Sequence, residues 1–113
     1  ITVAGMNRPD LTTSGMIANH HVEPIKNKIR TIFRIGLIHR HDSLVLGALG
    51  CGAFRNPPRH VAQLFHEVME ELEFKNKYRK IVFAILNDHN AHQSHNPEGN
   101  LKPFADEFTK RDV

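Results

Sequence analysis

The sequence predicts a layered α/β fold built on a parallel sheet, and three observations carry that prediction. Strand-like and helix-like stretches alternate along the 113 residues in the order strand, helix, strand, helix, strand, helix. Strands joined through helices in this way lie parallel and cross over right-handed. The runs 44–49 (LVLGAL) and 80–86 (KIVFAIL) are almost wholly apolar, the composition of parallel strands buried on both faces. Between them Val61, Leu64, Phe65, Val68, Met69 and Leu72 recur at i, i+3, i+4, i+7, i+8 and i+11, which is one apolar stripe of a helix.

Taken in order, residues 1–6 form the first strand, ended by the turn cluster Asn7-Arg8-Pro9-Asp10. A polar, loop-like stretch carrying Thr12-Thr13-Ser14-Gly15 follows, through His21. The spacing of Ile25, Ile29, Ile32, Phe33 and Gly36 predicts a helix over 22–41, with Lys26, Arg30 and Arg34 on its other side and Pro24 near its start, where proline does least harm. Strand 44–49 leads through a glycine-rich turn into a helix over 58–73 that opens on Pro57 and Pro58. Strand 80–86 precedes the polar segment 87–100, and Leu101, Phe104, Ala105 and Phe108 predict a last helix over 101–110. The whole is one domain, 1–113, with no repeats or low-complexity tract.

The composition sets limits on partners. A hydrophobic fraction of 40% and a charged fraction of 24% suit an ordinary globular protein. The formal charge of +3 suits an anionic ligand, but the Lys and Arg residues read as solvated helix faces, so no nucleic-acid role is expected. No apolar run approaches the roughly twenty residues that span a bilayer, so no membrane partner is expected. No signal peptide is visible, and the single Cys51 excludes an internal disulfide. These features fit an intracellular, cytoplasmic protein.

Candidate site residues follow from the topology. Parallel strands present their carboxyl ends at one edge, and ligands bind just beyond it. The segments after the strands, 7–10, 50–56 and 87–95, should therefore line a common site, placing Asn7, Asn87 and Asp88 there. The junction Gly50-Cys51-Gly52-Ala53-Phe54-Arg55 is its centre: Gly50 and Gly52 let backbone approach a ligand, and the helix N-terminus that follows favours phosphate. It is neither a Walker A loop nor a G-x-G-x-x-G fingerprint, and it reads equally as a plain tight turn. Arg55 either meets phosphate or points to solvent. Cys51 reads as a small buried residue fixing the loop rather than a nucleophile. His89, His92 and His95 bring three imidazoles together, but no recognised zinc pattern surrounds them, so no metal is expected; His20, His21, His39 and His41 read as solvated positions.

The words LVLGALGCGAFRNPP (residues 44–58), VAQLF (61–65) and KIVFAIL (80–86), with ITVAGMNRP at the start and NPEGNLKPFADEF near the end, resemble the C-terminal half of microbial-type poly(ADP-ribose) glycohydrolases, which are macrodomains. The resemblance implies a partial three-layer α/β/α macrodomain fold. It also implies that Gly50, Cys51, Gly52, Ala53 and Phe54 wrap a diphosphate, with Phe54 near the terminal ribose. The implied ligand is ADP-ribose or an ADP-ribosylated protein, and no cofactor is implied. Leu49 stands where the family usually has Trp, and Pro57 where it usually has Asp. The family's catalytic Gln-Glu-Glu motif, which lies N-terminal to everything here, has no counterpart: Glu70-Glu71 follows Met69 in mid-helix. A glycosidase needs a placed carboxylic acid, so the chain alone is expected to be inactive. It is expected to be a fragment or one half of a split protein, its sheet completed by an N-terminal half or a second copy. The alternative is a non-catalytic module, or degenerate remnant, that binds ADP-ribose or another nucleotide diphosphate.

Overall fold

A computed structural model describes residues 1–87 and 97–109. The order is α1 (Asn19–Ile38), β1 (Ser43–Leu46), α2 (Pro58–Met69), β2 (Lys80–Phe83) and α3 (Leu101–Thr109). β1 and β2 pair in parallel, with Leu44 opposite Ile81 and Leu46 opposite Phe83. Among the described residues the chain is thus mixed α/β, with three helices and a two-stranded parallel sheet. None of the described helices is long and apolar enough to cross a membrane.

The apolar stripes become the core as their spacing requires. Ile25, Ile29, Phe33 and Gly36 are the buried residues of α1, and Val61, Leu64, Phe65 and Val68 lie among those of α2. Phe65 packs edge-on to Phe83 of β2, with ring centroids 5.3 Å apart, and touches Phe104 of α3 at 6.1 Å. α2 is therefore the hub between sheet and C-terminal helix. α1 is stopped by a left-handed residue, Arg40 at φ 62°. The N–H of His41 donates to the Gly36 carbonyl and that of Arg40 to the Leu37 carbonyl, the paired bonds of a Schellman cap.

Several boundaries differ from the sequence expectation. α1 spans Asn19–Ile38 rather than 22–41, which places Pro24 inside the helix. α2 stops at Met69 rather than 73: the continuation residue Leu72 is 91% exposed, and Phe74 turns in instead to meet the Phe33 ring at 5.5 Å. Both strands are shorter than 44–49 and 80–86, because the ladder ends at the Leu46–Phe83 pair although apolar residues continue.

The largest correction concerns residues 1–6, which are not a sheet strand. Ile1 and Val3 instead line, together with residues 43–49, a groove of 480 Å³, so space stands where a strand at that position would have to hydrogen-bond. The sheet is also buried on one face only. Leu44 and Leu46 face the core, whereas Val45 is 73% exposed, since among the described residues no element covers the second face. Among the described residues there are two layers, not three.

Candidate functional site

The turn after β1 is built around a buried carboxamide. Asn56 is 1% exposed, and its Nδ2 donates to the carbonyls of Met6 (2.6 Å) and Gly50 (2.8 Å), with the Phe54 carbonyl at 3.4 Å. Its backbone N–H returns to the Gly50 carbonyl at 2.9 Å. Three carbonyl oxygens around one side-chain atom require the amino end of Asn56 there. Gly50 is obligatory for two reasons: its φ is 72°, and a Cβ would lie 2.5 Å from Asn56 Nδ2. Gly5 presses equally close, since a Cβ on it would stand 2.7 Å from Gly50 Cα. The 5–8 segment is then latched onto the loop by the Arg8 N–H, which donates to the Phe54 carbonyl at 2.7 Å.

This scaffold leaves one stretch of backbone N–H groups unbonded among the described residues. The N–H of Cys51 donates to Ala48, that of Arg55 to Gly52 and that of Asn56 to Gly50. Between them, the N–H groups of Gly52, Ala53 and Phe54 have no acceptor among the described residues. Ala53, Phe54 and Arg55 are exposed and Gly52 is half-buried. The helix that follows contributes less than its position suggests: Pro57 and Pro58 carry no N–H, so of the first-turn donors only Arg59 and His60 keep one. Phosphate affinity here must come chiefly from the loop.

Each sequence-predicted residue can now be placed. Cys51 is fully buried with its thiol 3.7 Å from the Leu49 carbonyl, and burial pushes its pKa well up, an environment that suits a residue fixing the loop better than a nucleophile. Arg55 points outward at a left-handed φ of 58°. Asn7 is exposed beside the Arg8 latch. Asn87 does not join the loop. Its Oδ1 accepts from the N–H groups of Asn100 (2.8 Å) and Leu101 (3.1 Å) and so caps α3. Asp88, His89, His92 and His95 lie outside the described residues. The structure thus brings the 7–10 and 50–56 segments together and ties Asn87 to a helix end. The 480 Å³ groove lies along β1, not at this loop.

Two contributors were not singled out from sequence. One is Asn56, whose only signal was an Asn between a glycine turn and two prolines. The other is His60, half-buried, whose Nδ1 accepts the Ile17 N–H at 2.8 Å. That bond requires the proton on Nε2, and burial holds the imidazole pKa below its usual value.

A glycine loop with unbonded amides, at the carboxyl edge of a parallel strand and ahead of a helix, is the ligand-binding arrangement of α/β folds. The solved structures it matches include those of poly(ADP-ribose) glycohydrolase from Deinococcus radiodurans. Its complex with ADP-ribose is 29% identical, with a TM-score of 0.68 over 81% of this chain and 34% of that one. A point mutant in complex with ADP-ribose is 30% identical, with a TM-score of 0.67 over 80% and 34%. The apo form is 28% identical, with a TM-score of 0.68 over 83% and 36%. This chain therefore has a poly(ADP-ribose) glycohydrolase-like fold and spans about a third of the length of those proteins. No family model and no curated protein matches it.

Proposed function

We propose that this chain is the ADP-ribose-binding part of a poly(ADP-ribose) glycohydrolase-like macrodomain, acting in the cytoplasm on ADP-ribose or an ADP-ribosylated protein. In this reading the catalytic acid is supplied from outside these 113 residues. The observation that carries it is the run of three N–H groups at Gly52, Ala53 and Phe54 with no acceptor among the described residues. Successive backbone amides form a concave anion site, and a diphosphate offers several oxygens to such a site. The glycohydrolase structures that share the fold include complexes with ADP-ribose, which supports this choice of diphosphate. Phe54, 39% exposed, offers an apolar surface for a ribose, and Asn7 flanks it. Asp88 remains a candidate for the nucleoside end.

The open sheet agrees with a partial domain. A bare face at Val45 and a groove along β1 are what a three-layer fold would fill with further strands and helices. Isothermal calorimetry with ADP-ribose tests the binding claim. Wild type should bind, and Gly52→Val, which puts a branched side chain where phosphate approaches, should lose at least about tenfold in affinity, or 1.4 kcal/mol. Equal binding by both proteins would remove the loop from the site.

A further inference from the structure

The loop before α1 brings a carboxylate onto two adjacent imidazoles. His20 Nε2 and His21 Nε2 each lie 3.3 Å from the same oxygen, Oδ2 of Asp10. All three ligand atoms fall within 4.8 Å of one another, and the two rings lie tilted at 44° with centroids 4.0 Å apart. We propose that Asp10, His20 and His21 bind one divalent transition-metal ion of the zinc class.

The His21–Asp10 contact meets hydrogen-bond geometry, and both distances also match those of coordination. A charge-assisted N–H···O bond to a carboxylate settles at about 2.7–2.9 Å, shorter than either contact here. Ligand atoms at about 2.0–2.1 Å from a tetrahedral ion are about 3.3–3.4 Å apart, and both Asp10–imidazole separations equal that edge. Two imidazoles and one carboxylate form a ligand set suited to zinc and its neighbours. The fourth position faces solvent, since Asp10 and His20 are exposed.

The site is also held in place. The Ala18 N–H donates to the Asp10 carbonyl at 2.8 Å, and Leu11 and Ile17 form an antiparallel bridge. Those bonds fold the loop back so that Asp10 meets residues ten and eleven positions later in the sequence. The His21 N–H donates to the Ala18 carbonyl at 2.9 Å, fixing the first turn of α1. Sequence alone conceals the cluster, because adjacent histidines read as solvated until the loop delivers the carboxylate.

Cobalt(II) is the probe, since a tetrahedral N/O site gives it visible d–d absorption, and zinc(II) displacement then reports zinc affinity. Wild type should bind one cobalt ion saturably and release it to zinc. Asp10→Asn and His21→Ala should each weaken binding by more than about tenfold, the loss that even an outer-shell change can cause, with unchanged far-UV circular dichroism. Replacing His89, His92 and His95 together by Ala should leave the titration as in wild type. Saturating zinc should raise the Tm of wild type and not that of Asp10→Asn. Absence of saturable cobalt binding by wild type would overturn the proposal, leaving a carboxylate at a helix start. Loss confined to the triple variant would overturn it in favour of the 89–95 histidines.

Discussion

At Asn56 one amino group satisfies two backbone carbonyls and approaches a third, all from segments that carry the candidate ligand loop. Buried acceptors that lose their donor cost their full desolvation, about 1–3 kcal/mol. Asn56→Ala should therefore lower unfolding free energy by about 2–3 kcal/mol, read by urea denaturation. Asn56→Asp should be worse, because it turns a donor into a carboxylate facing three carbonyl oxygens. If Asp were tolerated as well as Asn, the amino end would not be the group the loop requires. The same bonds set Phe54 and its unbonded amide, so Asn56→Ala should also weaken ADP-ribose binding under conditions where the variant is folded. Loss of stability with binding intact would separate the latch from the ligand loop. Sequence pointed to the glycines and Phe54 but not to this residue, since an Asn in a turn has many uses and its partners at Met6 and Gly50 lie far apart in the chain.

Among the secondary elements, the helices were more legible than the strands. Helical burial is written into local spacing, and Ile25, Ile29, Phe33, Val61, Leu64, Phe65 and Val68 are buried as that spacing predicts. Strand limits depend on a partner elsewhere, so the apolar residues 47–49 and 84–86 gave no sign that pairing stops at Leu46 and Phe83. For the same reason residues 1–6 have strand composition without a strand's hydrogen bonds. The helices are cross-linked by charge. Arg30 of α1 grips Glu71, just beyond α2, through Nε at 2.9 Å and Nη2 at 2.7 Å, and also bonds Glu23. The Arg30 hydrogen bond holds the Glu71 carboxyl below its ordinary pKa of 4.5, helped by Lys26. A carboxyl depressed on folding contributes stability that is complete above its unfolded pKa and is lost as pH falls through the folded value. Glu71→Gln should cost about 1 kcal/mol at pH 7, and the difference from wild type should shrink on acidification below about pH 4.5. A gap independent of pH from 7 to 3 would show that packing, not charge, is what the substitution removes.

For the molecule as a whole, the sheet face that no described element covers decides what the chain can do alone. Carboxylates are plentiful, but Glu71, Glu73 and Asp106 are bonded to Arg30, Arg34 and Lys102 respectively, far from the role of a glycosidic acid. The purified 113-residue chain should therefore release nothing from ADP-ribose polymer above background. Turnover abolished by a substitution within the chain would contradict this, and Asp88 would be the first residue to replace. The outer face carries Val45 and Val82, which pair across the sheet and are 73% and 37% exposed. Burying such side chains contributes roughly 1.5–3 kcal/mol each. The unpaired edge of β1 adds main-chain groups that seek a partner strand. Sheet and face together should drive self-association, measured as a rise in scattering mass across a concentration series. Val45→Lys, exposed and outside the core, should suppress that rise without disturbing the fold. Supplying a glycohydrolase-like N-terminal half should do the same if it covers the face, and should then sharpen the thermal transition. A monomer at every concentration, with a sharp transition that no added segment changes, would show that these residues close their own core and that the bare sheet face is stable in water.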